Sequence, residues 1–113
     1  MAIPINIDDL INIRTVESHR VEFKSGYNPE EIIHTISAFT IDISELGGGY
    51  IIIGIEEKDG SPILPPIGLA QNQIDAIQKK LVELCFRIKP AYPPALIEPT
   101  EYQGKFIIFL DIQ

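Results

Sequence analysis

Apolar residues recur along this chain at two periods, and each change of period marks a new element. Over residues 19–25, Val21 and Phe23 alternate with Arg20, Glu22 and Lys24, the two-residue period of a strand with one apolar face. Residues 28–44 switch to helical spacing. Ile32, Ile36, Phe39 and Ile43 stand four, three and four apart and fall on one side of a helix. Asn28 suits its N-cap, Pro29 its first position, and Glu31 the place that completes a capping box. A shorter helix is expected over 7–13, with Asp8 as cap and Leu10 and Ile13 turned inward.

Beyond the glycines of "ELGGGYIIIGIEE" the pattern changes again. "YIIIGI" is apolar without interruption, as a central strand covered on both faces must be. Lys58, Asp59, Gly60 and Ser61 signal a turn. "PILPPIGL" carries three prolines, which restrict it to an irregular, extended connection. Over 72–90, Ile74, Ile77, Leu81, Leu84 and Ile88 form a second helical stripe that Pro90 would stop. "ALIEPTEYQGKFIIFLDIQ" reads as two strands joined at Gln103 and Gly104. The predicted order is α-β-α-β-α-β-β, an α+β domain with one central mixed sheet and helices packed against it.

At 113 residues the chain is one domain. It stops inside the strand pattern "FIIFLDIQ", so it is read as the N-terminal part, excised, of a longer protein whose C-terminal remainder is a partner. No apolar run reaches the ~20 residues of a membrane helix, and no secretory signal opens the chain. A cytoplasmic protein with no membrane partner is the expectation. Cys85 is the one cysteine, which excludes an internal disulfide, and the two histidines lack zinc-ligand spacing. The net charge of −7 argues against a broadly basic nucleic-acid surface but leaves room for a local basic patch.

The glycines do not form a phosphate loop. They follow a helix and precede a strand, whereas phosphate loops follow a strand and open a helix. His19 and His34 have no serine or cysteine partner in a recognisable triad setting. Carboxylates carry more chemistry. Glu17 and Glu22 flank or lie on the first strand, and Glu56 and Glu57 follow the second. If strand 19–25 lies beside strand 50–56, these groups approach one concavity, where like charges would seek Mg²⁺ or Mn²⁺. Such an ion can clamp a phosphodiester and activate water. Residue types alone favour instead a solvated, salt-bridged sheet face for Glu22 and Lys24. Arg20 and Lys24 share a strand face, and Lys80 and Arg87 lie off the apolar stripe of the long helix. All four are candidate phosphate contacts.

The residues "ES" at 17–18, "VEFK", "ISAF", "GGGYIIIGIEEKDG" and "IGL" together closely resemble the Schlafen-type AlbA-like domain, over about residues 14–112. The resemblance implies a DNA-binding module at the N-terminus of a larger transcriptional regulator, often one with a divergent ATPase-type region. In nuclease-active relatives the matching positions form a metal-dependent RNA-cleaving site. Here these are Glu17, Glu22, and Glu57 or Glu56, with Glu standing where the third family position is typically Asp. Thr40 and Ile41 also stand where many relatives have Ala-Asn. Two functions follow from the resemblance, a nucleic-acid-binding module for DNA or RNA and a metal-dependent endoribonuclease. The acidic balance and apolar "PILPPI" permit a third, a protein-interaction or dimerisation domain, with a homodimer among its forms. The isolated domain is expected to act as a binder, with no cofactor beyond the Mg²⁺ or Mn²⁺ of the nuclease case.

Overall fold

A computed structural model describes residues 20–41, 49–59, 61–87 and 96–112. The helix expected over 7–13, together with Glu17 and His19, lies outside the described residues. Strand β1 (Arg20–Lys24) is followed by helix α1 (Pro29–Ile41) and strand β2 (Gly49–Ile53). Strands β3 (Glu57–Lys58) and β4 (Ser61–Pro62) make a small hairpin. A single 3₁₀ turn (Gln71–Gln73) leads into helix α2 (Ile74–Phe86). Strands β5 (Leu96–Tyr102) and β6 (Lys105–Ile112) complete the described order. The architecture is the expected α+β one, with the β3–β4 hairpin added at the predicted turn.

The main sheet runs β1-β2-β6-β5. β1 is parallel to β2, and the other two pairings are antiparallel. β2 is flanked on both edges, and all five of its residues are buried, as its uninterrupted apolar run requires. It is shorter than the expected 50–56. The chain bends at Gly54, which has φ 112°, and the amides of Gly54 and Ile55 both donate to the Lys24 carbonyl, at 2.7 and 3.1 Å. A Cβ at Gly54 would stand 3.1 Å from Ile107 Cγ2 and 3.3 Å from the Phe106 carbonyl oxygen.

Strand alternation divides the core in two. Ile51, Ile53, Ile108 and Leu110 face the helices, where they pack with Ile32 and Ile36 of α1 and Ile77, Leu81 and Leu84 of α2. On the opposite face Val21, Phe23, Tyr50, Ile52, Ile107 and Phe109 form a second cluster, with the Tyr50 and Phe109 rings 5.3 Å apart. Leu64, from the proline-rich connection, packs against it. Each fully buried Ile or Leu contributes about 1.5–3 kcal/mol relative to exposure, so the two predicted helix stripes are what fix the helices to the sheet.

Local chemistry sets the element ends. The Glu31 amide donates to Asn28 Oδ1 at 3.3 Å, and Asn28 Nδ2 donates to Glu31 Oε2 at 3.3 Å. The two residues cap α1 reciprocally, through the Asn side-chain amide where a standard capping box uses the backbone N–H. Gln103 and Gly104 have φ 53° and 80°, the paired left-handed conformations of a tight two-residue hairpin. β5 keeps its pairing with β6 through Pro99, which lies opposite Ile108. Ile43, Ile88 and Pro90, the predicted ends of the helix stripes, lie outside the described residues.

Candidate functional site

β1 and β2 are neighbours in parallel register, with Glu22 opposite Ile51 and Lys24 opposite Ile53. Because Ile51 and Ile53 belong to the helix-side core, Glu22 and Lys24 stand on the helix-covered face. Both are half-buried. They therefore do not form the fully solvated sheet face that residue types alone favoured. The expected adjacency of the two strands holds.

Past Gly54 the chain leaves the sheet, and Glu56 and Glu57 are exposed. With Phe23, Lys24, Ser25 and Glu31 they line a groove of about 270 Å³ where β1 and β2 end. Glu56 and Glu57 thus meet Lys24 there, whereas Glu22 does not line this groove. Glu31 was not foreseen as a site residue. Its signal in the sequence was the cap pattern, which fixes the first turn of α1 just beyond the end of β1. Among the described residues no group of three or more His, Cys, Asp or Glu is gathered to hold a metal ion. The described residues alone therefore do not fit the metal site that a nuclease needs, and Glu17 lies outside them.

A second groove, of about 480 Å³, lies on the other side of the turn at 25–28. Tyr27, Leu69, Gln73, Ile77 and Lys80 line it together with the backbone of Gly26 and Gly68. Lys80 Nζ stands 5.9 Å from the centroid of the Tyr27 ring, near the outer limit of a cation–π contact. Burial pushes the Tyr27 hydroxyl above its ordinary value of 10.0, opposed by Arg87 and reinforced by Glu83 and Cys85. The phenol is therefore a neutral hydrogen-bond donor at physiological pH.

Of the four predicted phosphate contacts, Lys24 lines the first groove and Lys80 the second. Arg87 is exposed just beyond α2 and acts electrostatically on Tyr27. Arg20 opens β1. His34 is exposed on α1. Cys85 is buried in the helix-side core, and burial raises its thiol from 9.0 to about 11, which leaves it inert as a nucleophile. No helix among the described residues is long and apolar enough to cross a membrane.

These features define a helix-covered mixed-sheet α+β domain whose charged side chains gather beyond the parallel strands β1 and β2. The chain belongs to the Schlafen AlbA_2 family, whose model matches residues 17–113. Among solved structures it is similar to the N-terminal domain of a protein from Nitrosomonas europaea named for its relation to the ATP-dependent DNA helicase RecG. That similarity has 24% identity and a TM-score of 0.66 and covers 94% of this chain and 69% of that one. It is also similar to the DIP2311 protein from Corynebacterium diphtheriae, at 19% identity and a TM-score of 0.52. The match covers 93% of this chain and 24% of that one. Both likenesses are of fold. No curated protein matches the chain.

Proposed function

We propose that this chain is the nucleic-acid-binding domain of a larger regulatory protein, with DNA as its first target and RNA as its second. One observation carries the reading: nearly the whole chain matches the Schlafen AlbA_2 family, on a fold shared with the N-terminal domain of a helicase-related protein. The described charges suit local contact over broad coverage. Lys80 and Arg87 offer phosphate contacts on the α2 side. Arg20 and Lys24 offer them from β1, although Glu31, Glu56 and Glu57 around Lys24 repel phosphate and weaken that side.

The test is a fluorescence-anisotropy titration of labelled duplex DNA and RNA at several salt concentrations. Two to four phosphate contacts give a slope of log affinity on log salt of roughly −2 to −4 on duplex DNA. A folded chain that binds neither polymer at low salt would overturn the reading and promote the protein-interaction one.

A second reading, metal-dependent RNA cleavage, is favoured by one placement. Glu56 and Glu57 line one groove with Lys24 where β1 and β2 end, and Glu22 stands two residues before Lys24 on β1, outside that groove. It also requires Glu17. Its test is Mn²⁺-dependent cleavage of structured RNA, with Glu22→Gln as the inactive control. Turnover that survives Glu22→Gln removes it.

A further inference from the structure

The groove at Tyr27 joins three kinds of group that a flat phosphate-binding surface does not need. It has an aromatic ring, a cation beside the ring, and a side-chain amide from Gln73, the last residue of the 3₁₀ turn before α2. Leu69, Ala76 and Ile77 add apolar wall. Its volume of about 480 Å³ falls in the ~300–1,000 Å³ range of small-ligand sites. Gly26 and Gly68 contribute only backbone to the wall. At Gly68, with φ 81°, a Cβ would stand 2.9 Å from Lys105 Cβ, so the position is held to glycine by its backbone and by Lys105.

Charge distribution gives the groove a direction. Lys79 pairs with Asp75 at 3.5 Å, whereas Lys80 is in no ion pair among the described residues and faces Tyr27. Glu83 and Arg87 act on the Tyr27 hydroxyl with opposite signs, and among the described residues Lys80 is the charged side chain that lines the groove. Its long contact with the ring is weak and its side chain exposed. A phosphate can therefore draw the ammonium aside and uncover the ring face.

We propose that this groove holds one unpaired base of a single-stranded nucleic acid, with the base stacked on Tyr27 and its phosphate on Lys80. Every base has a π-face, so stacking here is tolerant of sequence, and Gln73 can hydrogen-bond the edge of whichever base enters. Bases stacked within a duplex cannot reach the ring. The inference rests on the nucleic-acid reading and adds to it a preference for single strands.

The chain contains no tryptophan, so Tyr27→Trp introduces a single tryptophan, excitable at wavelengths where tyrosine does not absorb, that can still stack. Oligo-dT and oligo-U should quench its emission, and a duplex at equal occupancy should not. In anisotropy titrations Tyr27→Leu should weaken single-strand binding by about tenfold and leave duplex affinity unchanged, whereas Lys80→Gln, which removes a phosphate contact, should weaken both polymers and the single strand more. Tyr27→Phe, which keeps the ring, should bind like the wild type. Equal single-strand affinity in the wild type and Tyr27→Leu, or equal quenching by duplex, overturns this inference while leaving the broader reading intact. A wild-type chain that binds neither polymer overturns both.

Discussion

Glu22 on β1 lies directly opposite Ile51 on β2, so a carboxylate shares a sheet face with an isoleucine that has no solvent exposure. A hydrophobic residue would serve the fold better in that position. A group kept at a cost to stability is the usual mark of a functional position. Glu22→Leu should therefore raise stability by about 0.5–2 kcal/mol, read as a shift of the urea midpoint at unchanged m-value. A fall in stability would mean that Glu22 is a structural residue.

The two cations of β1 can be tested through salt dependence. Arg20→Ala combined with Lys24→Ala should flatten the slope of log affinity on log salt by up to about 2 on duplex DNA. Lys79→Ala, which removes a lysine already paired with Asp75, should leave the slope unchanged. Equal effects from the two variants would show that only net charge matters.

Two glycines with positive φ should respond differently to alanine. At Gly54 a new Cβ meets Ile107 and the Phe106 carbonyl at 3.1–3.3 Å, while at Gly104 it meets nothing within 4 Å. Both variants carry the backbone cost of a left-handed alanine, about 1 kcal/mol or more. Gly54→Ala should cost about 1–3 kcal/mol beyond that, as overpacking does. Denaturant unfolding of the two variants measures the difference directly.

The buried thiol makes stability sensitive to alkaline pH. The unfolded chain releases the Cys85 proton near pH 9.0, whereas the folded chain holds it to about 11. Its contribution is complete below pH 9 and is lost as pH rises toward 11, amounting to about 2 kcal/mol. Tyr27 and Tyr50, both raised above 10.0, act in the same direction at still higher pH. Urea midpoints measured from pH 8 to 10.5 should fall, and the fall should shrink in Cys85→Val. An identical pH profile in that variant would dismiss the thiol as the cause.

What the sequence made legible was local. The stripes Ile32–Ile36 and Ile77–Leu81–Leu84 are buried as their spacing required, because helical periodicity needs no knowledge of the partner surface. The Gln103 and Gly104 turn was equally plain, since its backbone demands are met within two residues. The adjacency of β1 and β2 was expected from the acidic residues that flank both strands, and the sheet pairs them. The grooves did not. Glu31 meets Glu56 and Glu57 only because α1 starts where β1 ends and the chain bends at Gly54. Tyr27 and Lys80 are distant in sequence and are joined by the packing of α2 beside the turn at 25–28. The sign of the first groove was also hidden, because charge runs along a strand do not reveal which carboxylates tertiary packing will add.

Pro99 bears on how copies of this domain behave in a crowded solution. β5 is the last strand of the sheet, with no described partner on its far side. Since its pairing with β6 continues through Pro99 opposite Ile108, the missing N–H falls on that outer side. A second chain laid along β5 would find a gap in the donor row at its centre, with Glu98 and Glu101 to either side. Such interruptions keep sheets from joining edge to edge. Pro99→Thr would restore the donor on a β-prone residue, and light scattering at high protein concentration should then rise with time where the wild type stays flat. The proline thus favours a domain that stays separate from its own copies, leaving any pairing of copies to another surface.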